Sequence, residues 1–246
     1  MKKRILLFLI ILLLTAGCSR VSRPVGTSPP SPTPPPAIPE IKVHFVDVGQ
    51  GDGIWVQTWE GKNMVIDGGG RRAGFDRYLS QNKVKTVDVL VGTNPDADHI
   101  GGLIEVLKTL PVKEVWLSGQ ENTTITFEDY VDAIAKSGAI VHKARRGDRF
   151  NLGSIVVDVL HPIDPFVSGR NNNSVVLKFK FGDISFLFAG DAEKEAEASM
   201  IAARLPLEST ILKLGHHGSR TSTSVPFLAA VKPQVACPVD GSHSAA

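Results

Sequence analysis

The feature that most restricts the fold is a series of short β-branched runs in both halves of the chain, with helix-period segments between them. Ile41–Val48, Gly53–Thr58, Asn63–Ile66, Val87–Gly92 and Glu114–Leu117 read as strands in the first half. In the second, Gly153-Ser154 and Gly182-Asp183 are two-residue turns, each separating two strand-like runs. The latter pair is Val175–Phe181 and Ile184–Phe188, and Thr210–Leu214 is a further strand. Ile100, Leu103, Ile104 and Leu107 recur at helical spacing ahead of Pro111. Thr126 is expected to cap a helix that presents Phe127, Tyr130, Val131 and Ile134 and ends at Gly138. Ala192–Arg204 and Val225–Val231 read as helices too. Strands in both halves with helices between them predict an α/β (α+β) fold of two sheets covered by outer helices.

The first forty residues have a different character. Lys2, Lys3 and Arg4 precede an unbroken apolar run from Ile5 to Leu14, followed by Thr15-Ala16-Gly17-Cys18. That is the layout of a secretory signal, and ten helical residues reach only about 15 Å, half of a bilayer core. Residues 1–17 are therefore expected to be a signal peptide. Residues 18–40 are expected to be a tether, because 24–39 hold eight of the 16 prolines and cannot pack a core. The folded domain is expected over 41–246. The other cysteine, Cys237, follows an apolar stretch and is expected to be a buried thiol. Removing Lys2, Lys3, Arg4, Arg20, Arg23 and Glu40 takes the formal charge from +2 to −2. That balance argues against a high-affinity, non-specific duplex binder, because such binding rests on phosphate neutralisation.

Four loops beside the strands are rich in metal-competent side chains. They are Asn94-Pro95-Asp96-Ala97-Asp98-His99-Ile100-Gly101-Gly102, Asn171-Asn172-Asn173-Ser174, Ala189-Gly190-Asp191 and Gly215-His216-His217-Gly218-Ser219. Strand ends in α/β folds gather their loops on one edge, where carboxylates and imidazoles could hold two divalent ions. Each residue alone also fits a structural role. Asp98 and Asp191 are good helix caps, the asparagines are turn formers, and a single histidine is commonly just a hydrogen-bonded residue. Three ligand types within four positions, followed by two glycines, favour the joint reading.

Asp96-Ala97-Asp98-His99-Ile100-Gly101-Gly102 resembles the ligand loop of the metallo-β-lactamase superfamily. Asp47-Val48-Gly49-Gln50-Gly51-Asp52, Asn173-Ser174, Gly190-Asp191 and Leu214-Gly215-His216-His217-Gly218-Ser219 follow the order seen in the hydrolase domain of ComEC-type DNA-uptake channels. This resemblance covers roughly Ile41 to Gln234. It implies a four-layer αββα sandwich with two divalent ions, zinc or manganese, at one edge of the sheets. Asp96 is implied on metal one, Asp98 and His99 on metal two, Asp191 between them, and His216 completing metal two. Asn94, a weak neutral ligand, stands where the family loop opens with histidine. Asn173 and Ser174 occupy the place of another histidine and are assigned to substrate binding. His217 is implied close by as a catalytic or substrate contact, alongside Asp98, with Asp47 and Asp52 in positioning roles. The last residues do not follow the family's usual continuation, so the domain is expected to be shortened at its C-terminus. The Thr15-Ala16-Gly17-Cys18 ending resembles a bacterial lipobox and implies lipidation of Cys18.

A surface-anchored, metal-dependent phosphodiesterase, nuclease-like and acting on DNA outside the cytoplasmic membrane, is the first expectation. Arg220, beside the second histidine loop, is placed to take a phosphate in bidentate fashion. The cluster His142, Lys143, Arg145, Arg146 and Arg149 is either a phosphate patch or a solvated strand edge. Two alternatives stand beside this reading. One is a catalytically weak or inactive binding lipoprotein that keeps the fold, as Asn94 suggests. The other is a hydrolase of an ester, amide or lactam, disfavoured by a shell with three carboxylates and only two histidines.

Overall fold

Strand periodicity divides the central residues between two cores, because alternate side chains point to opposite faces of a sheet. The computed structural model describes residues 39–239. The expected signal segment, Cys18 and nearly all of the tether lie outside the described residues. The first sheet runs in spatial order β1 (Ile41–Phe45), β2 (Gly53–Thr58), β3 (Asn63–Gly68), β4 (Val87–Gly92), β5 (Val112–Leu117) and β6 (Ile140–Lys143). β1 to β3 pair antiparallel, and β3 to β6 pair parallel. The second sheet contains β7 (Arg149–Leu152), β8 (Ile155–His161), β9 (Val176–Phe181), β10 (Ile184–Phe188), β11 (Ile211–Lys213) and β12 (Val235–Cys237), adjacent in that order. β7 to β10 are antiparallel, and β10 to β12 are parallel.

In β2, Ile54 and Val56 face the second sheet, whereas Trp55 faces outward. Met64 and Ile66 against Val65, Val89 and Val91 against Leu90, and Phe186 and Phe188 against Leu187 alternate in the same way. The inward residues form the layer between the sheets. The outward ones of the first sheet pack on α1 (Phe75–Gln81), α2 (Ala97–Ile100), α3 (Leu103–Thr109) and α4 (Ile125–Ser137) through Leu79, Ile100, Leu103, Tyr130 and Ile134. Those of the second sheet pack on α5 (Lys194–Ala202) and α6 (Val225–Val231) through Ala196, Met200 and Phe227. Both faces of the central strands are buried, which explains their near-continuous apolar runs. The result is the αββα sandwich that the sequence motifs imply.

Several local expectations need correction. The run Ile100–Leu107 is not one helix but belongs to α2 and α3, broken at Gly101-Gly102. A Cβ on Gly102 would lie 2.0 Å from the Gly68 carbonyl oxygen, and the Gly102 amide donates to Gly69 O at 2.8 Å. The break lets the end of β3 press directly on the ligand loop. The cap of α4 is Thr124, whose Oγ1 accepts from Phe127 N at 3.3 Å, not Thr126, and Val131 is 46 % exposed rather than packed. α5 starts at Lys194 with Glu193 as its N-cap, so Asp191 does not cap it. Cys237 is half-buried in β12, and its thiol is not part of the core. Among the described residues, no helix is long and apolar enough to cross a membrane.

Candidate metal centre

Four chain segments end on one edge of the sandwich: β3 at Asp67, β4 ahead of Asn94, β10 ahead of Asp191 and β11 ahead of His217. Parallel strands deliver successive loops to the same edge, so residues distant in sequence meet there. Asp67 is fully buried and adopts a left-handed φ of 56°, a conformation Asp tolerates better than most residues. Its carboxylate accepts from Thr93 N at 2.8 Å, from Thr93 Oγ1 at 2.6 Å and from His99 Nδ1 at 2.8 Å. This fixes the His99 ring and turns Nε2 to Asp191 Oδ2, 2.9 Å away. A carboxylate behind an imidazole is the usual means of orienting a metal-binding histidine.

His217 is held in a parallel manner. Its Nδ1 lies 3.1 Å from Asp52 Oδ1 and 3.2 Å from Val239 O. Asp52 is itself paired with Lys213, whose ammonium is buried and also donates to Gly190 O at 2.9 Å. The His217 ring stacks on His99 with centroids 5.2 Å apart. Its Nε2 stands 3.5 Å from Asp98 Oδ2 and 3.6 Å from Asp191 Oδ1. Gly51, with φ of 121°, brings the Asp47–Asp52 loop onto this cluster, and a Cβ there would lie 2.0 Å from Asp98 O.

Charge is concentrated here. Burial acts against protonation of His99, but the carboxylates of Asp191 and Asp67 outweigh it and raise its pKa well above the ordinary value. Burial likewise opposes charge on His217, and Asp52, Asp98 and Asp191 together raise it to about 9. The contact with His217 holds the Asp98 carboxyl below its usual range, against partial burial. Asp191 is lowered as well: burial pushes it up, and the charge of His99 overrides that. Without metal, the imidazolium protons and Lys213 balance the buried carboxylates. A divalent cation can displace those protons.

The residues fit such a cation. Asp191 Oδ1 and His217 Nε2 are buried atoms with no hydrogen-bond partner among the described residues. Such orphans are costly unless something binds them. Ligand atoms about 2.1 Å from a tetrahedral ion lie roughly 3.4 Å apart, close to the 3.5 and 3.6 Å separations of His217 Nε2 from Asp98 and Asp191. Two groups of donors each lie within 4.8 Å: Asp98, His99 and His217, and Asp52, His99 and Asp191.

The structure thus brings Asp98, His99 and Asp191 together as expected from the motifs, and adds His217 and Asp52. It does not bring His216 to them. His216, expected on metal two, has Nδ1 2.9 Å from Glu193 Oε1 and 3.2 Å from Thr221 Oγ1. Both histidines have left-handed backbone, with φ of 43° and 52°. Asp96, expected on metal one, has its Oδ1 2.5 Å from Arg170 Nη1 and 3.1 Å from Asn122 Nδ2. Asn94 is buried, with Oδ1 accepting from Asp96 N at 2.9 Å and Nδ2 3.5 Å from Ser174 Oγ. Asn173, expected at substrate, spends its amide on Val167 N, Val167 O and Gly169 O, all within 2.9 Å. Ser174 is buried and accepts from Asp191 N at 3.2 Å, so it positions a loop. Arg220 is exposed beside the histidine turn. Asp67, Lys213 and Arg170 were not anticipated. A carboxylate closing the apolar run Met64–Ile66, and a lysine interrupting Ile211-Leu212 directly before the histidines, were the available signals.

The sequence profile of the Metallo-beta-lactamase superfamily matches residues 46–237. The chain is 29 % identical over 216 residues to the ComE operon protein 3 of Bacillus subtilis, covering 80 % of this chain and 28 % of that protein. It is 31 % identical over 217 residues to the competence protein ComA of Neisseria gonorrhoeae, covering 86 % and 29 %. The chain therefore spans less than a third of the length of these relatives. CmlA, a diiron beta-hydroxylase from Streptomyces venezuelae, superposes with a TM-score of 0.52 at 14 % identity, over 83 % of this chain and 45 % of that one, and shares the fold alone. The fold typically binds divalent metals, often two, and supports metal-dependent hydrolysis in general. The chain belongs to the Metallo-beta-lactamase superfamily, with competence proteins of the ComEC type among its relatives.

Proposed function

We propose that this chain is an exported, lipid-anchored phosphodiesterase that depends on zinc or manganese, with DNA as its substrate class, outside the bacterial cytoplasmic membrane. The observation that carries the reading is the meeting of Asp98, His99, Asp191 and His217 around two buried atoms that have no hydrogen-bond partner among the described residues. A divalent ion bound there supplies Lewis-acid activation of water and stabilises oxyanion charge. The chain's own residues do the rest. Asp67 orients His99, and Lys213 with Asp52 orients His217. Arg170 and Arg220 are exposed cations suited to phosphate oxygens. A carboxylate-rich set favours harder ions than a histidine-rich one does. One relative is named a competence protein and another, from Haemophilus influenzae and 28 % identical over 205 residues, a recombination protein; both names point toward DNA. The anchor rests on Cys18 and the apolar run before it.

The test is hydrolysis of bis(p-nitrophenyl) phosphate and of an oligodeoxynucleotide by the purified chain with added Mn²⁺ or Zn²⁺. Metal-activated cleavage of both is expected, and a chain that opens a β-lactam but leaves phosphodiesters intact overturns the reading. Cys18→Ser is expected to leave the membrane fraction. If that variant stays there at its normal mature mass, the anchor is refuted. A second reading, a catalytically weak binding protein, is favoured by the pairing of Asp96 with Arg170 and by the amide at Asn94. Metal-loaded chain that binds the oligonucleotide without cleaving it would establish that alternative.

A further inference from the structure

The two flanks of the pocket differ in what they have left to offer a cation. On one, Asp191 Oδ1 and His217 Nε2 have no hydrogen-bond partner among the described residues, and Asp98 Oδ2 stands 3.5 Å from the latter. On the other, every donor is already engaged. Asn94 Oδ1 receives the Asp96 amide, and Asn94 Nδ2 points to Ser174 Oγ. The Asn173 amide closes the 167–169 turn. The single anion on that flank, Asp96, is held by the Arg170 guanidinium and by Asn122. Both candidate donor groups omit Asp96.

We infer that this chain holds one divalent ion, on the Asp98, His99, Asp191 and His217 flank, and that the Arg170 guanidinium paired with Asp96 takes the place of a second cation. This rests on the metal-binding reading of the same site. The chemistry favours it. A lone carboxylate beside a neutral amide whose oxygen is already bonded offers too little charge to strip a divalent ion of its water. A guanidinium needs only that one carboxylate. It stays charged at every working pH and has five N–H donors. Arg170 is half-exposed, and among the described residues Asp96 is its one side-chain partner, so its other donors can meet an anionic substrate.

The experiment is calorimetric titration of Zn²⁺ and of Mn²⁺ into the chelator-treated full chain, with metal content measured independently. One ion per chain is expected. Asp98→Ala is expected to lose it, and Asp96→Ala to retain it. Arg170→Lys stays at one ion. Combining Arg170→Ala with Asn94→His frees the carboxylate and supplies an imidazole, so stoichiometry is expected to rise to two. Arg170 is exposed whereas Asn94 is buried, and circular dichroism checks the fold of each variant. Two tight ions in the unaltered chain, or loss of an ion in Asp96→Ala, overturn the inference. A double variant that still takes one ion overturns the role given to Arg170. No binding at all overturns both this inference and the metal-dependent function, whereas two ions overturn only the former.

Discussion

The two flanks of the pocket share one sheet edge and one ligand loop, yet they treat polar groups in opposite ways. Around His99 and His217 the buried groups are charged, and chains of ion pairs, Asp67–His99–Asp191 and Lys213–Asp52–His217, compensate one another. Around Asn94 and Asn173 the buried groups are neutral amides spent on backbone. The histidines follow suit. His99 and His217 are raised in pKa by carboxylates. His161, beneath the Asn171–Ser174 turn, is lowered to about 4, by burial first and by Arg146 second. The comparison teaches that a metal-ready surface is one where charge has been buried in balance with atoms to spare. A flank whose hydrogen bonds are complete is scaffold.

The sharpest way to break this comparison is Asp98→Ala. Asp98 is half-exposed and bears no core contact, so its loss is expected to cost well under about 1 kcal/mol of stability while removing the bound ion and any turnover. Unchanged metal content would place the ion elsewhere. Next in size is Lys213→Ala. It leaves Asp52 as a buried carboxylate facing His217, and breaking a buried pair from one side costs about 3–5 kcal/mol. Urea denaturation reads the loss. An effect below about 1 kcal/mol would mean that the Lys213–Asp52 pair does not anchor His217.

How much of this was visible in the sequence follows from the range of the interactions. The sandwich was legible because alternation and turn chemistry are local, and the ligand loop because its residues are contiguous. The choice between His216 and His217 was not, since two left-handed residues in a row obey neither strand nor helix period. Asp67 and Lys213 escaped notice because a buried charge makes sense only with its partner, and Thr93, His99 and Asp52 come from other strands or loops. The short helix α1 and the three-residue β12 carry too few apolar positions for a periodic signal. Thr124 and Thr126 are both plausible caps by composition, and only the Phe127 amide decides between them.

A pH series separates the flanks by sign. His161 is fully buried, with Nε2 2.7 Å from the Asn172 carbonyl oxygen. Its folded pKa of about 4 lies below the unfolded value near 6.5, so the folded protein binds fewer protons in that window. Stability is present in full above pH 6.5 and is lost as pH falls toward 4, by on the order of 3 kcal/mol. His217 runs the other way in metal-free protein. Its contribution is complete below pH 6.5 and fades as pH rises through about 9. Unfolding of metal-free protein measured from pH 4 to 9, with His161→Gln alongside, checks both. If the variant keeps the full acid-side loss, His161 is not its source.

The smallest expected effect is the most discriminating test of the neutral flank. Asn94→Ala removes one hydrogen bond, from the Asp96 amide to Oδ1, and a weak 3.5 Å contact with Ser174. The Asp96 amide is half-buried rather than sealed, so the loss is that of an ordinary hydrogen bond, about 1 kcal/mol. The ligand loop then frays at its first turn, ahead of the Asp96 carbonyl that accepts from His99 N and Ile100 N. Those two bonds hold the start of α2 independently of Asn94. Asp98 and His99 are therefore expected to stay in place, and metal affinity to change by less than about threefold, within 0.7 kcal/mol. A metal ligand behaves otherwise, because its deletion takes a bond from the ion itself and costs far more affinity than stability. A hundredfold loss of zinc affinity in Asn94→Ala, with stability unchanged, would put Asn94 on a metal and erase the difference between the two flanks.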